Sequence, residues 1–367
     1  VLLSAETIYF PTFNAAVDYS LLNATIPYAM EICMQPPPDP TPLMHLATGY
    51  WPSLTLLTAA DLRVFDVLGS AGATAEEVAE ARSLHPEAVE RLLDACAALE
   101  VLRKVGSRYL HTPLSEAWLT SAAPGSMLGA LSWSLDQASA WAGLRETIRS
   151  GRMQAPPAHL GADRAETRRF VLGMRDRALG VGRALAPLLR VGETGHLLDV
   201  GGGPAAYACL LAQLHPHLEV TILDLPEIAD IARELVAESP WASRIHVLSG
   251  DASEGMYGSE KFDSVLMSGV LHQFGKAAIL RMLEGASRAL KPCGTLVVCD
   301  MMREESGTAP PFSCLFSIQM LLASQEGGVF REAELLEWLD KTGFVVVDTA
   351  SAPPPLPHRV VTARKRP

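Results

Sequence analysis

Between about residues 41 and 150 the apolar positions recur at helical spacing. Leu54, Leu57, Ala60, Leu62, Val64, Phe65 and Leu68 follow that period. Thr74 with Glu77 forms a capping box ahead of Val78. His85-Pro86 opens a further helix, with Val89, Leu92, Leu93 and Cys96 on one face. Leu102-Arg103-Lys104 and Arg108-Tyr109-Leu110-His111 flank Val105-Gly106-Ser107 and predict a short hairpin. Helices followed by a hairpin outline a winged helix.

From about Leu188 the pattern changes. Strands are predicted at 196–200, 219–223, 244–248, 262–267, 294–299 and 344–349, and helices at 205–214, 226–237, 276–290 and 331–341. Such alternation predicts an α/β domain with a mostly parallel sheet covered on both faces. Residues 1–35 are apolar and aromatic without a clean period, and Pro36-Pro37-Pro38-Asp39-Pro40 reads as a stiff linker. The chain thus divides into a 1–40 extension with no assigned role, a helical winged-helix-like part at 41–187 and a sheet domain at 188–367.

Charge and cysteine usage narrow the function classes. A net charge of −11 argues against nucleic acid, which requires a basic surface. It also turns the winged-helix outline from DNA recognition towards dimerisation. Six cysteines (Cys33, Cys96, Cys209, Cys293, Cys299 and Cys314) show no CxxC pair, which fits reduced thiols in a cytoplasmic protein and no zinc site. No run of about 18 apolar residues suggests a membrane span. The first Lys or Arg is Arg63, against a signal or transit peptide. No metal-ligand spacing is visible.

The candidate chemistry centres on His196-Leu197-Leu198-Asp199-Val200-Gly201-Gly202-Gly203-Pro204, an apolar strand running into a glycine turn. An apolar helical pattern follows, then a second strand, Val220-Thr221-Ile222-Leu223, ending in Asp224. Strand, glycine turn, helix, strand and acid is how a Rossmann-like sheet holds an adenosine group. Gly201 and Gly203 admit the ligand to the backbone, and Asp224 accepts from the ribose hydroxyls. Ala206 stands where the last glycine of a dinucleotide GxGxxG would be. Asp199, just before the glycines, would repel a pyrophosphate. It suits a cationic cofactor, which points to S-adenosylmethionine rather than NAD. Asp199, Asp224, Asp251, His272 and Asp300 all fall at or just past predicted strand ends, where ligands sit in such sheets.

These residues, in this order, resemble the cation-independent small-molecule O-methyltransferases, which include plant caffeate-type, acetylserotonin and bacterial polyketide-tailoring enzymes. The matching strings are Leu198-Asp199-Val200-Gly201-Gly202-Gly203, Leu223-Asp224-Leu225-Pro226, Gly250-Asp251, Val270-Leu271-His272, Leu290-Lys291-Pro292-Cys293-Gly294 and Gln325-Glu326-Gly327-Gly328. The similarity runs from roughly Ala47 to Lys365. It implies a Rossmann-like class I methyltransferase sheet, an N-terminal dimerisation domain, a homodimer, S-adenosylmethionine as cofactor, and transfer to a hydroxyl of an aromatic or polyketide-like acceptor. No metal is needed.

The resemblance also implies residue roles. His272 matches the catalytic base, and Asp300 the carboxylate that orients it. A phenol has a pKa of roughly 10 and a histidine roughly 6.5, so proton removal is coupled to attack. Asp199, Gly201, Gly203, Asp224 and Leu225 hold the cofactor. Asp251 and Ala252 border its adenine, Phe274 stacks on it, and Ser268 stands where relatives carry a basic residue. Trp141, Met174, Phe316, Gln319, Met320 and Ala323 are acceptor-pocket candidates; side chains of these types at helical spacing also fit a simple core.

The sequence departs from the family pattern in three further places. Gln273-Phe274 replaces Asp-Trp, Phe330 replaces an acid after the Gly-Gly pair, and Ala205 replaces the third glycine of the cofactor loop. Two rivals therefore stay open. One is a member of this fold with pericyclic, decarboxylating or hydroxylating chemistry; the other is a non-catalytic binding protein.

Overall fold

The computed structural model describes residues 38–154 and 163–367. Most of the 1–40 extension, with Cys33, lies outside the described residues. The chain divides after Gly49. The first unit contributes one described helix, Thr41–Thr48, and it buries no residue of its own.

The second unit opens with helices Tyr50–Asp61, Phe65–Leu68, Ala75–Arg82 and Pro86–Ala98. The capping box forms as expected: Thr74 accepts from the Glu77 N–H at 3.3 Å, and Glu77 accepts from the Thr74 N–H at 2.8 Å. Val89, Leu93 and Cys96 are the buried face of their helix. The hairpin consists of β1 (Leu102–Val105) and β2 (Arg108–His111), and Gly106 at φ +60° makes its turn. A bridge from Ala73 to Tyr109 lays the chain before Ala75–Arg82 along the hairpin. Phe65, Leu68, Val78, Leu93, Leu102 and Tyr109 fill this core. Helices Pro113–Trp118, Leu128–Ala142, Leu144–Ser150 and Arg164–Leu185 follow. The last joins the halves, its Val171 packing with Ile228, Ile231 and Leu235.

The sheet has seven strands: β3 (Thr194–Val200), β4 (His217–Asp224), β5 (Ile245–Ser249), β6 (Phe262–Ser268), β7 (Leu290–Met301), β8 (Phe344–Ser351) and β9 (His358–Lys365). Their order is β5-β4-β3-β6-β7-β9-β8. The first five run parallel, while β9 is antiparallel to both β7 and β8. One face buries Met282, Leu283, Leu335 and Trp338 from helices Lys276–Ala289 and Glu332–Lys341. The other buries Ala208, Leu211 and Val236 from Ala206–Leu214 and Pro226–Ala237. Strands covered on both faces read as near-continuous apolar runs, hence their visibility in the sequence.

β9 was not anticipated. Val360, Val361 and Ala363 are buried in it, yet His358, Arg359, Arg364 and Lys365 break the apolar run. Only pairing on both sides makes this segment a strand. Helix Pro311–Ala323 was likewise not delimited from sequence.

The chain order reverses at β3, which pairs with β4 on one side and β6 on the other. A crevice opens at the carboxyl ends of strands at such a point.

Candidate functional site

On the β4 side of that crevice the glycine turn wraps an acidic pair. Asp224 ends β4 and accepts from the Gly203 N–H and the Leu225 N–H, both at 2.8 Å. Burial still pushes its carboxyl up to about 6, against the lowering effect of those two donors. Asp199 in β3 is 2% exposed, and its Oδ2 is buried with no hydrogen-bond partner among the described residues. Burial first, and the Asp224 charge second, push Asp199 up to about 7.

The glycines are required sterically. Gly201 lies at φ +68°, and a Cβ there would meet Val270 Cγ2 at 2.5 Å; one on Gly202 would meet Asp199 Oδ2 at 2.7 Å. Ala205 is the exception, a fully buried alanine at φ +62°. It is the N-cap of Ala206–Leu214, so that helix begins one residue later than expected. Left-handed backbone costs an L-residue about 1–2 kcal/mol, so the loop tolerates this methyl at a strained position. Gly201→Ala is expected to be worse: clash and left-handed strain together should destabilise the fold by about 1–3 kcal/mol and weaken cofactor binding. Thermal melting and cofactor titration of that variant check this.

Two buried, unneutralised carboxylates beside open backbone make a site for a cation bearing hydroxyl donors. S-adenosylmethionine, with its sulfonium, ammonium and ribose hydroxyls, fits these residues. A pyrophosphate does not.

On the β6–β7 side, His272 sits in the turn Leu271–Gln273 after β6, 7% exposed. Its Nδ1 lies 2.7 Å from Oδ1 of the fully buried Asp300 in β7. Asp300 also accepts from the Met301 N–H at 2.8 Å and the His272 N–H at 3.4 Å. A carboxylate on Nδ1 holds the proton there and leaves the lone pair on Nε2. Such an imidazole can take a proton, and the carboxylate stabilises the resulting cation.

A loop clamps this histidine from behind. Ser324 Oγ donates to the Gln273 carbonyl at 2.7 Å and accepts from the Gly327 N–H at 3.0 Å, while the Gly328 N–H donates to the His272 carbonyl at 2.9 Å. A Cβ on Gly327 would lie 2.7 Å from that carbonyl oxygen. The Gly327-Gly328 pair was the sequence signal, but its partner was unknown. Phe330, where an acid was expected, is core: it is 6% exposed and packs edge-on against Trp338 at 5.4 Å. A carboxylate there would be buried against an indole.

His358 was missed altogether. Antiparallel pairing sets it opposite Met301, next to Asp300. Burial pushes its imidazole down, while the Asp300 charge acts the other way. Nothing in the local sequence signals this neighbour.

Several pocket candidates converge. The Phe316 ring meets the His272 ring edge-on at 4.8 Å and stacks with Phe312 at 6.1 Å. Trp141 Nε1 donates to Gln319 Oε1 at 2.6 Å, tying Leu128–Ala142 to Pro311–Ala323. Met320 is buried, and Met174 and Ala323 are half-buried. Of the adenine candidates, Ala252 is buried and Asp251 exposed, with Asp251 Oδ1 capping the Ser253 N–H at 2.8 Å. Ser268 ends β6 and is half-buried. Phe274 packs against the sheet core. Among the described residues no three His, Cys, Asp or Glu side chains gather as a metal set, and no helix is long and apolar enough to cross a membrane.

Comparison with known proteins adds to this geometry. The family model for the O-methyltransferase domain matches residues 141–345, and that for the O-methyltransferase dimerisation domain matches 44–121. The tetracenomycin polyketide synthesis 8-O-methyl transferase TcmO of Streptomyces glaucescens is 29% identical, over 86% of this chain and 94% of its own. The N,N-dimethyltransferase OxyT of Streptomyces rimosus is 31% identical, over 72% and 79%. The crystal structure of human N-acetylserotonin methyltransferase in complex with SAM superposes with a TM-score of 0.80 at 24% identity, covering 91% of this chain and 100% of that one.

Proposed function

Since the chain belongs to the S-adenosylmethionine-dependent O-methyltransferase family, we propose that it methylates a hydroxyl of an aromatic, polyketide-like small molecule with His272 as general base. The observation that carries this reading is the buried His272–Asp300 pair at the end of β6 and β7, beside the acidic, glycine-lined end of β3 and β4. Bound S-adenosylmethionine supplies a methyl group already activated on sulfonium. Asp224 holds the ribose hydroxyls and Asp199 faces the positive charge. Gly201, Gly203 and Leu225 shape the loop around the cofactor. Asp251, Ala252, Ser268 and Phe274 surround its adenine end. Trp141, Met174, Phe316, Gln319, Met320 and Ala323 enclose the ring of the acceptor. His272 Nε2 takes the hydroxyl proton as the oxygen attacks, and Asp300 steadies the imidazolium. The relatives named above are methyltransferases, which disfavours the non-methylating reading. The test is incubation with S-adenosylmethionine and a panel of phenols, scored for both methylated product and S-adenosylhomocysteine.

The helical part, 41–187, is read as a winged-helix-like dimerisation domain ahead of the cofactor domain, in a cytoplasmic homodimer. Its support is the dimerisation model over 44–121 and the exposed apolar side chains within that range. Leu46 is 79% exposed in the first unit, and Tyr50 and Trp51 are 58% and 60% exposed in the second. Light scattering at micromolar concentration should give the mass of a dimer. A monomeric mass would contradict this arrangement.

A further inference from the structure

Helices Leu128–Ala142 and Arg164–Leu185 flank a half-buried cation that has no counter-ion among the described residues. Arg177 Nη2 donates to Ser134 Oγ at 2.9 Å and to Gln137 Oε1 at 3.2 Å. Both partners are neutral. Among the described residues no carboxylate forms an ion pair with this guanidinium. The adjacent Asp176 instead accepts from the Ala130 N–H at 3.3 Å. Burial disfavours the charge on Arg177 and pushes its pKa down, with no acid to offset it. Among the described residues only Nη2 has hydrogen-bond partners, although a guanidinium carries five N–H donors. A neutral amide could join Ser134 to Gln137 without the penalty of a partly desolvated charge.

The position of Arg177 suggests what the charge is for. Gln137 precedes Trp141 by four residues on one helix, and Met174 precedes Arg177 by three on the other, so each pair lies on one helical face. Trp141 bonds Gln319, and Phe316, one turn earlier on that helix, meets the His272 ring. Arg177 thus stands at the far end of the row of side chains that starts at the proposed base.

We propose that Arg177 binds the acceptor, receiving a carboxylate carried on the aromatic ring system at the end remote from the reacting hydroxyl. The planar guanidinium matches a carboxylate through two parallel N–H donors, and its unpaired edge is the one such a group would use. This inference rests on the methyl-transfer reading and adds the chemical class of the acceptor.

The test separates the two. The full chain, saturated with S-adenosylhomocysteine, is titrated with 6-hydroxy-2-naphthoate and with its methyl ester, a pair that differs in charge. The acid should bind about 10- to 100-fold more tightly than the ester, the worth of a charge-assisted hydrogen bond. In Arg177→Gln the ratio should fall towards one, and in Arg177→Lys it should be partly kept, since the charge stays but the fork is lost. Equal affinity of acid and ester for the wild type overturns the proposal, and so does an unchanged ratio in Arg177→Gln. The wild-type ratio and the lysine variant decide the matter if the glutamine variant fails to fold. Acid that binds with the expected preference but is never methylated supports the anion site and counts against the methyl-transfer reading instead.

Discussion

Replacing His272 with alanine should lower methyl transfer by about 10²–10⁴-fold, the usual worth of a positioned general base, while cofactor affinity stays nearly unchanged. The separation follows from the geometry. His272 and Asp300 bond to each other and to backbone on the β6–β7 side, whereas the carboxylates proposed to hold the cofactor lie on the β3–β4 side. Asp300→Asn should lower the rate less. It keeps an oxygen for the Nδ1–H and removes the charge that supports the imidazolium. Single-turnover rates on one accepted phenol, with a parallel S-adenosylhomocysteine titration, decide the assignment. An unchanged rate in His272→Ala means that the histidine is not the base. Product formed without release of demethylated cofactor would replace methyl transfer by another chemistry on the same fold.

Asp224→Asn should weaken cofactor binding at pH 8 by about 10- to 100-fold, because a charged acceptor to two hydroxyl donors is worth roughly 1.5–3 kcal/mol. The wild type should show the same loss as pH falls. Free Asp199 and Asp224 take up protons below about 7 and about 6. A cationic ligand favours their ionised forms, so binding must expel those protons once they are present. Affinity should therefore fall about tenfold or more between pH 8 and pH 5.5, with proton release on binding. The sign for stability is the opposite. Both folded-state pKa values lie above the ordinary aspartate value of 3.8, so these groups favour the unliganded fold at low pH. That contribution is lost as pH rises from about 4 through about 7. Cofactor should then raise Tm more at pH 8 than at pH 5.5. Calorimetry in buffers of different ionisation enthalpy reads the proton release directly; equal affinity at both pH values refutes the role given to the acidic pair.

The α/β class, the succession of strands β3 to β8 along the chain and the glycine turn were legible in the sequence because each depends on local rules. Strands buried on both faces have few polar interruptions, and a capping box or a positive-φ glycine is set by residues three or four apart. The strand-end positions of Asp199, Asp224, His272 and Asp300 followed from the same periodicity, since the end of an apolar run marks the end of a strand. The family strings then attached chemistry to those positions.

Contacts that join distant segments were not legible. β9 is polar at five of its eight positions and becomes a strand only between β7 and β8; that pairing brings His358 beside Asp300. The clamp of Ser324, Gly327 and Gly328 on the backbone of His272 and Gln273 spans some fifty residues. Phe330 read as a missing acid, and only its packing on Trp338 shows that the position belongs to the core. Arg177 carried no signal in the sequence; only the packing of two helices leaves it half-buried, without a counter-ion among the described residues. Periodicity along the chain reports which face of an element is covered. The identity of the covering group, and whether it carries a compensating charge, depends on how separate elements pack, and that is decided only in three dimensions.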